Sequence, residues 1–321
     1  MTSEFDLIAR FFRRPAPVGM LGVGDDCALF PVTAGYQVAT STDLLLEGRH
    51  FFPDVDPCAL GHKSLAVNLS DLAAMGARPL ACVLGLGLPH IDEQWVGAFA
   101  QGFHGLADQH GCALIGGDTT RSTQGVVISV TVFGEVAPQL ALRRDAALPG
   151  DDVWVSGTLG EADLAYRLLG GLLPPDDGRL AATRAALEWP QPQVQLGLNL
   201  RGVARACLDV SDGLLQDLGH ILTASHVGAE LWWHSMPVSP ALDGLPEAVR
   251  MQAALGGGDL YGLCFTAGPA RRVAVQQAAE SAGVAVTRVG TIRATQGIDV
   301  LDRDGLARSV PIAGFDHFSS P

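Results

Sequence analysis

The chain has a single lysine, no closely spaced cysteine pair and no long apolar run, and each shortage removes a class of function. Lys63 is that lysine, and no Gly-x-x-x-x-Gly-Lys-Ser/Thr phosphate loop surrounds it, so a nucleotide would need another holding device. Acids (34) outnumber Lys and Arg (21), giving a net charge of −13. That balance argues against nucleic acid or an anionic membrane as partner. It would also repel a polyphosphate unless cations intervene. The six cysteines, at positions 27, 58, 82, 112, 207 and 264, show no Cys-x-x-Cys spacing and mostly sit in apolar runs. They read as reduced core residues, not as a disulfide frame or a zinc site. No stretch reaches the ~18 apolar residues of a membrane span, and the first residues carry no basic leader-like segment. The expectation is a soluble, cytoplasmic protein.

What is present is apolar residue in quantity, 48% of 321 positions, enough for two cores. The pattern breaks into Pro, Arg and small residues over 137–150, which sets the expected domains at 1–138 and 139–321. Residues 36–43 read as a strand ending in an acid, and 58–75 as a helix stopped at Gly76 with Pro79 beyond. Ser64, Asn68 and Asp71 form a polar stripe on that helix beside the apolar Leu65, Leu69 and Leu72. Strands are expected over 81–88, 112–118 and 126–136, with a helix over 92–110. In the second half, strands are expected at 153–157, 206–210, 228–233, 261–266, 285–292 and 298–302, and helices near 160–169 and 214–224. Residues 171–192, rich in Pro and Gly, read as a surface excursion. Strands and helices mix without strict βαβ alternation, so the expected fold class is α+β.

Seven acid-bearing segments punctuate this pattern: Gly24-Asp25-Asp26, Ser41-Thr42-Asp43, Asn68 to Asp71, Gly116 to Thr120, Pro149 to Asp152, Asp209 to Gly213 and Gly258-Asp259. Most follow an apolar run, which puts the carboxylates at element ends. Two carboxylates ~4 Å apart repel by about 4 kcal/mol at an effective dielectric near 20, so a site that gathers several must protonate some or hold cations. Hard oxygen ligands with few His and no Cys pair suit Mg²⁺ shared with a phosphate substrate. Each acid alone also reads as a helix cap or a strand end, Gly116-Gly117-Asp118 as a hairpin turn, His50 as structural, and Phe315 as a tail anchor. No Ser-His-Asp or Cys-His set follows from spacing.

Taken in order, these segments resemble the thiamine-monophosphate kinase family, of the superfamily shared with aminoimidazole ribonucleotide synthetase and selenophosphate synthetase. The resemblance runs from Glu4-Phe5 through Gly22 to Leu29, Ser41-Thr42-Asp43 with Glu47 to Phe51, Ala66 to Ala77, Ile115 to Arg121 and Asp209 to Leu214, and ends at Gly314 to Phe318. It implies two mixed domains, an N-terminal one (1–138) that binds ATP and metal and pairs in a homodimer, and a C-terminal α+β one (139–321). It further implies that Asp26, Ser41, Thr42, Asp43, Asp71, Asp118, Asp209 and Asp212 hold several Mg²⁺ ions. Gly117, Asp118, Arg144 and Ser211 would touch ATP, and His50, Asp259 and Phe315 thiamine monophosphate. Asp43, Asp118 and Arg144 would carry catalysis, with Asp43 and Asp118 acting together on nucleotide-bound metal.

The implied reaction is ATP-dependent phosphorylation of thiamine monophosphate to thiamine diphosphate. The acceptor phosphate, with a second pKa of ~6, is already a dianion at pH 7 and needs no general base. Two rivals stay open at this point: another ATP-using synthetase of the superfamily, and a nucleotide- and metal-binding relative without turnover. One segment departs from its relatives. Where they typically read Gly-Glu-Asp-Tyr-Glu-Leu, this chain has Gly258-Asp259-Leu260-Tyr261-Gly262-Leu263, which keeps one acid and loses two; weaker binding of thiamine monophosphate is the expectation.

Overall fold

Two helices that meet backbone to backbone shape the first half of the chain. The computed structural model describes residues 3–308 and 310. Its first unit, through Leu72 and again over Ala77–Gln139, contains α1 (Glu4–Leu7), β1 (Gln37–Leu46), α2 (Pro57–Ala74), β2 (Arg78–Leu88), α3 (Glu93–His110), β3 (Ala113–Arg121) and β4 (Val127–Val136). A Cβ at Gly61 would fall 2.0 Å from the Phe99 carbonyl oxygen, and one at Gly102 1.8 Å from that of Cys58. Glycine at these two positions therefore sets the distance between α2 and α3. Asp92 caps α3 by accepting the N–H groups of Gln94 and Trp95, an acid where the helix dipole favours one.

The sheet of this unit has the order β1-β4-β2-β3, with β2 and β3 parallel and the other pairs antiparallel. Side chains alternate between its faces. Ile128, Val130, Val132, Leu84 and Leu86 are buried on one face. On the other face, Val38, Leu44 and Leu46 of β1 stay 53%, 58% and 41% exposed. β1 and β3 are the two edges.

The second unit takes Ala73–Gly76 and continues from Leu140. It contains β5 (Asp152–Ser156), α4 (Glu161–Leu169), α5 (Asp177–Glu188), α6 (Val194–Asn199), β6 (Cys207–Asp209), α7 (Leu214–Ser225), β7 (Gly228–Trp232), α8 (Glu247–Met251), β8 (Leu263–Ala267), α9 (Arg272–Ala282), β9 (Val286–Arg293), β10 (Gly297–Leu301) and β11 (Ala307–Arg308). Its sheet runs β11-β10-β7-β9-β5-β8-β6, mixed because β10 lies parallel to β7. The core gathers Val153, Val155, Leu208, Leu218, Ile221 and Val289. Two buried acids open β5: Asp151 pairs with Arg205, and Asp152 with Arg272 and Arg288.

The mixed α+β architecture matches the expectation. The stretch 171–192 does not: it holds α5, capped by Asp176 and burying Thr183, Leu187 and Glu188. Gly and Pro flank that helix, and their turn signal masked it. The expectation that the cysteines are core residues fails at Cys27, which is exposed, while Cys82, Cys112, Cys207 and Cys264 are buried. No helix among the described residues is long and apolar enough to cross a membrane.

Candidate active site

The polar stripe of α2 lies against edge strand β1 and joins the first group of expected ligands. Asn68, fully buried, donates to the Ser64 carbonyl at 3.1 Å and accepts the Asp43 N–H at 3.1 Å. One strand repeat away, the Ser41 hydroxyl donates to Asp71 Oδ2 at 2.5 Å. Ser41 and Asp43 share a face of β1 because side chains repeat every second residue. Burial, and then the neighbouring Asp71, push the Asp43 carboxyl up to about 7. Thr42 points the other way and its hydroxyl meets that of Thr131 at 2.7 Å, so its side chain does not join this set.

A carboxyl lifted this far by burial and a second acid is a poor lone anion and a good partner for a divalent cation. The donor chemistry at Ser41, Asp43 and Asp71 (two carboxyls and a hydroxyl, all hard oxygens) therefore fits the metal ions that the sequence implies. Among the described residues, no three His, Cys, Asp or Glu side chains converge on one point. A Mg²⁺ ion characteristically takes one or two carboxylates and completes its shell with substrate phosphate and water, which a two-acid set allows.

Asp118 lies elsewhere on the sheet. Asp43, Val130, Leu84 and Gly117 form one row across the four strands, three strand spacings or about 14 Å from edge to edge. Asp118 follows Gly117 and pairs with Gly85, so it faces away from the buried row. Within one chain Asp43 and Asp118 thus sit on opposite edge strands and opposite faces. Gly117 (φ 152°) is needed where it stands, since a Cβ there would lie 1.9 Å from the Leu84 carbonyl oxygen. Asp26 is exposed on the loop after Gly24, where its N–H donates to Asp25 Oδ1 at 3.0 Å. That bond uses one oxygen of Asp25, and both carboxyl groups stay exposed. His50, on the turn after β1, accepts the Leu46 N–H on Nδ1 at 3.0 Å, so the neutral ring carries its proton on Nε2.

In the second unit the expected residues occupy loops. Asp209 ends β6 and is buried; Ser211 and Asp212 follow and are half-buried. The loop is laced to the Asp259 segment: the Asp259 N–H donates to the Ser211 carbonyl and the Tyr261 N–H to that of Val210, both at 2.8 Å. Asp259 and Tyr261 take left-handed φ values of 60° and 51°, uncommon for residues with a Cβ. Arg143 is bound to Asp145 (2.8 Å), whereas the adjacent, exposed Arg144 has no carboxylate partner among the described residues. Phe315 lies outside the described residues. Two acids were not singled out from the sequence. Asp163 of α4 pairs with Arg167 and is raised by burial and by Asp259. Asp217 of α7 is pushed up to about 6 by burial, against its backbone hydrogen bonds. The signal for Asp217 was an acid in the first turn of a helix.

Comparison with known proteins accounts for the order of these segments. Residues 24–136 match the N-terminal domain model of AIR synthase related proteins, and residues 149–303 match the C-terminal one. The thiamine-monophosphate kinase of Escherichia coli K12 is 40% identical over 325 residues, covering 99% of both chains. The crystal structure of thiamine-monophosphate kinase from Stenotrophomonas maltophilia K279a superposes with a TM-score of 0.84 at 46% identity, over 94% of this chain and 95% of that one. AaThiL complexed with AMPPCP and TMP superposes at 0.78 and 28% identity, over 90% and 89%. Likeness of this extent, at 40% identity over nearly the full length of both chains, leaves one assignment: the chain belongs to the thiamine-monophosphate kinase family.

Proposed function

We propose that the chain transfers the γ-phosphoryl group of ATP to the phosphate of thiamine monophosphate, giving thiamine diphosphate and ADP. The reading extends to several Mg²⁺ ions held by the acids and to a cytoplasmic homodimer. The observation that carries it is the Ser41–Asp43–Asp71 set, a half-buried pair of acids on two segments that carry the family resemblance. An oxygen of the monophosphate attacks the γ-phosphorus, the bond to the β,γ-bridging oxygen breaks, and ADP departs with the electron pair. The acceptor is a dianion at neutral pH and needs no general base.

The obstacle to that step is repulsion between two polyanions, and bound Mg²⁺ supplies the neutralisation and alignment that overcome it. Asp43 and Asp71 would hold metal on the first unit, and Asp209 and Asp212 would hold other metal on the second. Arg144, with no carboxylate partner among the described residues, offers a guanidinium to the nucleotide. His50 and Asp259 would contact thiamine monophosphate. Asp118 stands about 14 Å across the sheet from Asp43, so joint action on one ion requires the β3 edge of a second copy beside β1. The exposed apolar strip Val38, Leu44, Leu46 on that strand supports such pairing. The test is product analysis with thiamine monophosphate, ATP and Mg²⁺. Thiamine diphosphate formed in step with ADP is the expected outcome; ADP with no thiamine diphosphate would refute the reading.

A further inference from the structure

The loop that carries Asp209, Ser211 and Asp212 is shaped by an acid the mechanism leaves unused. Asp217 is 5% exposed, and its Oδ2 accepts the backbone N–H groups of Ser211 (3.0 Å), Asp212 (3.0 Å) and Gly213 (3.1 Å). Its own N–H donates to the Gly213 carbonyl at 2.9 Å, closing the first turn of α7. On the other side of the loop, the carbonyls of Val210 and Ser211 accept from Tyr261 and Asp259. Gly213 adopts φ 121° with a virtual Cβ only 2.7 Å from the Gly256 carbonyl group. The backbone of the loop is thus fixed on both sides.

Successive N–H groups ahead of a helix form a concavity that ordinarily receives phosphate. Here a carboxylate of the same chain fills it. We infer that Asp217 is a positioning residue: it occupies this backbone concavity, so that Ser211 and Asp212 meet the nucleotide and its metal through side chains and never through main-chain N–H groups. The inference rests on the kinase reading for the identity of the nucleotide, but the occupied concavity does not.

Amide hydrogen exchange on the full-length protein tests it, with Mg²⁺·AMPPCP and inorganic phosphate as probes. In the wild type the amides of 211–213 should be protected without ligand and gain nothing from inorganic phosphate. D217A should expose them, and titration calorimetry should show Mg²⁺·AMPPCP affinity falling about tenfold or more, the range for outer-shell partners of metal ligands. D217N keeps an acceptor oxygen and should recover part of both losses, a rescue that generalised unfolding would not give. Protection of 211–213 in the wild type by inorganic phosphate would overturn the inference. So would D217A that exposes these amides yet binds Mg²⁺·AMPPCP as tightly as the wild type. If the wild type makes no thiamine diphosphate, the kinase reading fails while the exchange result stands by itself.

Discussion

The two units offer acids on different supports. In the first, Ser41 and Asp43 ride on an edge strand held by its ladder with β4 and by the Asn68 side chain, and Asp71 on an 18-residue helix. In the second, Asp209, Ser211 and Asp212 occupy the exit of a three-residue strand, and separate devices fix that loop: the Asp217 carboxylate, the bonds from Asp259 and Tyr261, and glycine at 213. A site on regular elements can lose a charge and keep its shape. A site on a loop depends on the residues that hold the loop, so its geometry and its chemistry fail together.

The sharpest break of this comparison is D43N. On the proposed metal role of Asp43, turnover should fall by about 100-fold or more through lost charge neutralisation, while the folded content by circular dichroism is unchanged. The sign of its stability effect also follows. Burial and Asp71 raise Asp43 from 3.8 to about 7, so the metal-free folded state binds this proton more tightly than the unfolded chain. The group therefore costs stability progressively as pH rises through that window, and D43N should lose less. Melting curves at pH 5 and pH 8 without metal check this, and added Mg²⁺ should raise the wild-type Tm more at pH 8. A D43N variant with near-normal turnover at low Mg²⁺ would remove the ligand assignment.

Glycine replacements probe the supports. G117A places a Cβ 1.9 Å from the Leu84 carbonyl oxygen in the first sheet. G257A places one 2.4 Å from both the Ala253 carbonyl oxygen and the Asp163 Cβ in the second unit. Each should cost about 2–4 kcal/mol by chemical denaturation, the scale of overpacking with backbone strain. G257A should also raise the Michaelis constant for thiamine monophosphate, since it displaces the Asp259 loop. Equal behaviour of the two variants toward that substrate would erase the contrast between strand and loop.

Neighbouring arginines give a finer test. R144A removes a guanidinium that has no carboxylate partner among the described residues, and should raise the Michaelis constant for ATP by about tenfold or more, the worth of a charge-assisted hydrogen bond. R143A breaks only the exposed pair with Asp145 and should leave that constant within about twofold. The smallest effect is expected from restoring the acids absent at the Asp259 segment. Leu260 packs on the second core and a Cβ at Gly262 would lie 3.0 Å from the Ser156 carbonyl oxygen. L260D/G262E should therefore lower Tm while reducing the Michaelis constant for thiamine monophosphate by about threefold. An unchanged constant would show that those positions serve only the loop.

Much of this was readable along the chain. The helix stop at Gly76 and the polar stripe of Ser64, Asn68 and Asp71 are local signals, and each expected strand and helix forms within a few residues of its expected bounds. Helix α9, Arg272–Ala282 closed by Gly283 at φ 68°, lies outside the expected elements although it carries the same kind of stop. Asp217 was hidden for another reason: an acid in a first helical turn reads as a favourable dipole partner, and only the fold of the preceding loop shows three N–H groups turned onto it.

The sequence by itself determined the elements, the α+β class, the acids at element ends and the family, because periodicity, capping and motif order act over a few residues at a time. Tertiary structure alone decided which acids meet. Asp43 and Asp71 lie far apart in sequence yet meet in the fold, where burial first and then Asp71 lift the Asp43 carboxyl to about 7. Asp43 and Asp118 both end apolar stretches, yet strand order sends them to opposite edges of the sheet. Strand order and burial are set by long-range packing, and the charge state of a carboxyl follows from its surroundings more than from its neighbours in the chain.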